Sequence, residues 1–131
     1  MVDEALARAI RGALVEGQLP CAEAFRIARE LKVAPAEVGR AADEMDIRVS
    51  RCQLGLFGYG PKAEGKHRIV QPLPAVPPRL EEAIRACLQE GRLPCAMAWQ
   101  VARRLGVGKL EVSGAAEALK IRVSCCQLGC F

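Results

Sequence analysis

Along the first half of the chain, Leu6, Ala9, Ile10, Ala13 and Leu14 recur at the three- and four-residue spacing that puts side chains on one face of a helix. The stripe predicts a first helix that ends near Gly17. Pro20 suits the first turn of a second helix, since a proline there forfeits no helical hydrogen bond. The inward face of that helix is read as Cys21, Ala24, Phe25, Ala28 and Leu31. A turn at Lys32-Val33-Ala34 leads to a third helix opening at Pro35, with Glu37 in its first turn, where an acid complements the helix dipole. Its inward stripe is Val38, Ala41, Ala42 and Met45. The β-branched stretch Ile47-Arg48-Val49-Ser50 predicts a short strand beyond it.

The same pattern then returns. Displaced by 74 positions the sequence falls on itself without a gap, and residues 6–57 share 29 of 52 positions with residues 80–131. Leu19-Pro20-Cys21-Ala22 meets Leu93-Pro94-Cys95-Ala96, and Cys52-Gln53-Leu54-Gly55 meets Cys126-Gln127-Leu128-Gly129. The chain therefore reads as two repeats, 1–57 and 80–131, joined by a connector over 58–79. Bulk is kept at Phe25/Trp99, Ile27/Val101 and Met45/Leu119, as buried positions require, whereas charge is exchanged freely at Glu30/Arg104 and Asp46/Lys120. The expected fold class is mainly α, with three helices in each repeat. Gln53 to Phe57 and His67 to Gln71 can pair as a short β-hairpin around the glycine-rich tip Gly58-Tyr59-Gly60. The Pro72-Leu73-Pro74-Ala75-Val76-Pro77-Pro78 end of the connector should run extended and stiff.

Composition narrows the function. Of 131 residues 51% are hydrophobic, enough for a packed core, and no apolar run is long enough to span a membrane. The acidic start Met1-Val2-Asp3-Glu4 is unlike a basic leader, so a cytoplasmic protein with no membrane partner is expected. The net charge of +4 is uneven: residues 1–57 carry 8 Lys and Arg against 9 Asp and Glu, and the connector 4 against 1. Seven cysteines stand in the chain without any Cys-x-x-Cys and beside one histidine, His67, so zinc-ligand spacing is missing and neither metal nor cofactor is expected. Cys21/Cys95 and Cys52/Cys126 repeat in both copies and are read as small core residues. Cys87, Cys125 and Cys130 do not repeat; they face Ala13, Arg51 and Leu56.

A tight turn between a second and a third short helix is the geometry of a helix-turn-helix. The stretch Ala98 to Ser113 resembles the helix-turn-helix motif of bacterial transcription regulators, through Ala102, Gly106, Val107 and Val112 at the spacings that motif uses. The first copy matches with Ala28, Val33 and Val38 but has Lys32 in place of the glycine. With the hairpin, the first unit would be similar to a winged helix. The resemblance implies double-stranded DNA as partner, with the third helix in the major groove. Its outward positions are Ala36, Gly39, Arg40 and Asp43 in the first copy, and Lys109, Ser113, Gly114 and Glu117 in the second. This set is poor in the paired donors that read bases, and its small residues would allow close approach without reading sequence. Phosphate contacts would come from Arg48 and Arg122, repeated after each third helix, from Lys62, Lys66, His67 and Arg68 in the connector, and from Arg29 and Arg103. The candidate nucleic-acid contacts are thus Arg40, Arg48, Lys62, Lys66, Arg68, Lys109, Ser113 and Arg122. Two linked units on adjacent half-sites would lend each other a high effective concentration.

Two other classes compete with a DNA-binding regulator. The first is a protein-interaction or self-associating scaffold module, since fold does not dictate function. It would use the repeated Cys-Gln-Leu-Gly-x-Phe segment, whose blander role is closing the core with Leu54 and Phe57. The second is a thiol or metal sensor, suggested by Cys125, Cys126 and Cys130. No nucleophile–histidine arrangement, phosphate loop or paired-carboxylate motif occurs, so no enzyme is expected.

Overall fold

The computed structural model describes residues 3–131, except for the side chain of Lys62. The Asp3 carboxylate accepts from the Leu6 N–H at 3.2 Å and caps α1, Glu4–Gly12, which buries Leu6, Ala7 and Ile10. This helix ends at Gly12 rather than near Gly17. Val15 and Gln18 exchange both backbone hydrogen bonds across a two-residue turn in which Glu16 and Gly17 have positive φ, so the glycine serves a reversal of the chain and not a helix end. Pro20 is also displaced from its expected place: it lies in the two-residue strand β1, Leu19–Pro20, with extended backbone, immediately ahead of α2, Cys21–Leu31.

Helix α2 buries Cys21, Ala24, Phe25, Ile27 and Ala28, but Leu31, expected inward, is exposed. It closes on Lys32 in the left-handed conformation, φ 57°, where the second repeat has Gly106 at φ 66°. A lysine there costs about 1 kcal/mol, because its Cβ crowds the backbone. Helix α3, Pro35–Glu44, starts at the proline as expected and buries Val38, Gly39, Ala41 and Ala42. The β-branched stretch then contributes β2, Val49–Ser50, which pairs parallel with β1 in the register Leu19 to Val49 and Pro20 to Ser50. After a single 3-10 turn at Lys62–Glu64, the second repeat restates the order as α4, Pro78–Ala86, β3, Leu93–Pro94, α5, Cys95–Leu105, α6, Lys109–Ala118, and β4, Val123–Ser124. Its strands pair in the equivalent parallel register. The architecture is mainly helical, with six α-helices and four very short strands among the described residues. None of these helices is long and apolar enough to cross a membrane.

The expected wing hairpin does not form. The N–H groups of Ile69 and Val70 both donate to the Gly55 carbonyl, and Tyr59 donates to His67. The remaining groups turn back locally, Arg51 to Gly58 and Cys52 to Phe57. Gly55 and Gly58 have φ of 74° and 83°, which breaks the extended backbone a ladder needs.

The segment beyond β2 does not complete its own repeat. Cys52 and Leu54 are buried among Leu80, Ile84, Ala98, Val101, Val112 and Ala116 of the second repeat, with Leu56 and Phe57 packed beside them. Reciprocally, Leu128 is buried among Leu6, Ile10, Phe25, Val38 and Ala42 of the first repeat, with Cys126 beside it. Each Cys-Gln-Leu-Gly segment thus plugs the core of the other copy. Between them the Phe25 and Trp99 rings meet at 4.3 Å between centroids, tilted by 41°, and Phe57 meets Phe131 edge to face at 6.2 Å. The core-closing role expected of Leu54 and Phe57 is real but acts across the junction.

Candidate functional site

The outward face of each third helix is where the interlocked segments lie. In the first repeat Gly39 is buried because the Leu128 carbonyl lies against it, occupying the space a Cβ would need. Ala36, Arg40 and Asp43 on the same helix stay exposed. Four further cations, Arg29 and Lys32 ahead of α3 and Arg48 and Arg51 behind it, are also exposed. The same surface carries Glu37 and Glu44.

The corresponding face of α6 is covered at its centre, with Leu110 left exposed at its start. Ser113 is 1% exposed, and its hydroxyl is buried without a hydrogen-bond partner. Gly114 is buried under the connector, its carbonyl accepting from the Leu73 N–H at 3.1 Å. A Cβ on Gly114 would meet the Gln71 carbonyl oxygen at 2.8 Å. Glu117 pairs with Arg68 of the connector. Lys109 donates from Nζ to Gln53 Oε1 at 2.9 Å and lies 3.7 Å from the Trp99 ring centroid, a cation–π contact across the junction. Of the residues expected to touch nucleic acid, Ser113 is thus buried and Lys109 is half-buried with partners at the junction.

The other expected contacts are scattered. Arg48 and Arg122 are exposed, each on the rim of a cleft at the junction. The first cleft also contains Asp43, Asp46 and Phe57, the second Lys120, Ile121 and Phe131. Lys66 is exposed and lies 3.5 Å from Glu64, while Arg68 is occupied by Glu117. His67 is half-buried with Nδ1 unpartnered, and the side chain of Lys62 lies outside the described residues. Arg29 and Arg103 are exposed in both repeats. The connector is thus held on α6 through Arg68 and Leu73, while Lys66 stays in solvent beside Glu64.

The four repeated thiols also gather at the junction. Cys21, Cys52, Cys95 and Cys126 line one tight crevice with Phe25 and Trp99. Gln53 donates to Cys21 Sγ and Gln127 to Cys95 Sγ, each at 3.5 Å. Burial pushes the thiols of Cys21, Cys52 and Cys95 up, so they remain neutral fillers of the junction. Among the described residues no three potential ligand side chains stand close enough to hold a metal ion.

Sequence reasoning missed the crossing of the two segments. The available signal was the repetition of Cys-Gln-Leu-Gly-x-Phe in both copies, more than a wing in one copy requires. No protein family, curated protein or solved structure matches this chain.

Proposed function

We propose that the protein binds duplex DNA as a transcription regulator, through the helix-turn-helix of its first unit alone. The observation that carries this reading is the inequality of the third helices: α3 keeps Ala36, Arg40 and Asp43 in solvent, whereas at the matching positions of α6 Ser113 and Gly114 are buried, Glu117 is paired with Arg68, and only Leu110 is exposed. The exposed cations Arg29, Lys32, Arg40, Arg48 and Arg51 lie before, on and after α3, where they would contact phosphates and orient that helix. Arg40 is its one long donor suited to a guanine edge, and Asp43 would accept from a cytosine amino group. In this reading the second unit is a support. The chain presents one reading helix rather than two, so a symmetric operator would recruit two chains.

The test is a titration of labelled duplex from the region upstream of the gene, at two salt concentrations. Binding should weaken steeply with salt as counterions are released. Arg48→Ala should shrink the salt slope by about one unit, and Arg40→Ala should weaken binding by about tenfold or more through lost base contact. Lys109→Ala should leave the slope unchanged, since that ammonium faces Gln53 and Trp99. Salt-independent binding, or a Lys109 variant that behaves like the Arg48 variant, would contradict the proposal.

One observation favours a protein-binding module instead. Glu37, Asp43 and Glu44 stand beside Arg40 on the exposed side of α3, a charge balance that repels phosphate. Absence of any DNA binding at low salt would select that reading.

A further inference from the structure

The turn after β4 differs chemically from its counterpart after β2. In both, the cysteine at the head of the loop accepts a backbone hydrogen bond at its carbonyl from the glycine three residues on: Gly55 to Cys52 at 2.8 Å and Gly129 to Cys126 at 2.9 Å. In both, the chain returns so that the cysteine N–H donates to the phenylalanine carbonyl five residues on, Phe57 and Phe131. The folded loop therefore closes the chain back on its first residue, with the fifth residue immediately ahead of the closing phenylalanine. In the first repeat that fifth residue is Leu56; in the second it is Cys130. The loop of the second repeat thus carries two interacting thiols, Cys126 half-buried and Cys130 exposed.

We propose that Cys126 and Cys130 form a redox-active dithiol, oxidised to an intramolecular disulfide by low-molecular-weight disulfides. The loop prepares Cys126 as the attacking group. Its sulfur accepts from the Cys130 thiol and from the backbone N–H groups of Cys130, Leu128 and Gly129. These contacts outweigh partial burial and hold Cys126 at about 6, while donating that hydrogen bond drives Cys130 well above the ordinary thiol range. The first repeat is the internal control. Cys52 has the same backbone donors, from Leu54, Gly55 and Leu56, but no second thiol, and burial leaves it raised. The titratable groups nearest Cys126 are the thiols of Cys130 in its own loop, Cys95 in its own repeat, and Cys21 and Cys52 across the junction, while Asp43, Asp46, Arg48, Glu117, Lys120 and Arg122 line the clefts that Cys130 borders.

The exchange balances in two displacements. The Cys126 thiolate attacks one sulfur of the small disulfide; a Cys126–sulfur bond forms, the small molecule's S–S bond breaks, and its other half leaves as a thiolate. Cys130 then loses its proton to water and its sulfur attacks Cys126; the Cys126–Cys130 bond forms and the second half leaves as a thiolate. The protein loses two electrons and the small disulfide is reduced to two thiols.

The test treats the full-length protein with oxidised glutathione and follows intact mass, with Cys125→Ser and Cys130→Ser variants to locate the bond. Expected are loss of two hydrogens without a retained adduct in the wild type and in Cys125→Ser, and a glutathione adduct trapped on Cys126 in Cys130→Ser. At pH 7 Cys126 should react at least about tenfold faster than Cys52, because mostly thiolate competes with mostly thiol. Its alkylation by iodoacetamide should be half-maximal near pH 6 in the wild type and at a higher pH in Cys130→Ser. A disulfide that survives in Cys130→Ser, an adduct that persists in the wild type, or equal rates at Cys126 and Cys52 would overturn the assignment.

Discussion

Leu54→Ala is expected to destabilise the protein by about 3 kcal/mol, as usual for truncating a fully buried leucine. Leu54 is 1% exposed and sits among the buried residues of α4, α5 and α6, although it belongs in sequence to the first repeat. Removing it opens a cavity in the second repeat's core and withdraws the plug that links the copies. With the total stability of such a domain about 5–15 kcal/mol, the loss would be a large fraction. Urea unfolding followed by circular dichroism should show a lower midpoint with an unchanged slope. A loss below about 1 kcal/mol would place Leu54 in a surface loop, contrary to the structure.

Gly39→Ala should destabilise as well, against the intrinsic preference of a helix. Within an open helix, alanine gains about 1 kcal/mol over glycine. At this position its Cβ would overlap the Leu128 carbonyl, and a backbone oxygen cannot turn aside as a flexible side chain does. Overpacking of about 1–3 kcal/mol or more then exceeds the gain, for an expected net loss of about 2 kcal/mol. Gly12→Ala supplies the opposite sign. Gly12 is in α1 with nothing within 4 Å of a Cβ, and should be neutral or stabilising by up to about 1 kcal/mol. Both changes are read by thermal or urea unfolding. If Gly39→Ala stabilised the protein, the third helix would be open and the crossed arrangement wrong.

The duplication, the three helices of each copy and the short strand after α3 were legible in the sequence, because apolar spacing records which face of each element is buried. Partnership across the copies was not. Leu54 and Leu128 occupy identical local sequences, so an inward leucine reads the same whether it plugs its own core or the other one. The outward small residues of the third helices misled for a related reason. Gly39, Ser113 and Gly114 mark close approach by another surface, but the sequence does not say whether that surface is a duplex or the protein's own backbone. Lys109 was legible as a cation and illegible as a partner of Gln53, 56 residues away. Leu31 shows the limit of periodicity: it continues the helical stripe of α2 but lies at the end of the helix, beyond the reach of the core. The difference between Leu56 and Cys130 was visible from the start; its meaning depends on a folded loop that brings the fifth residue back to the first.

The two repeats fold as one interlocked body, each core closed by a segment of the other. Trp99, the only tryptophan, packs against Phe25 at the junction, so its fluorescence reports the contact between copies, while far-ultraviolet circular dichroism reports the six helices. Measured on the same urea series, the two signals should change together in a single transition with a common midpoint. Loss of the Trp99 signal at lower urea, with half of the helical signal persisting to a second transition, would show two independent units and contradict the account.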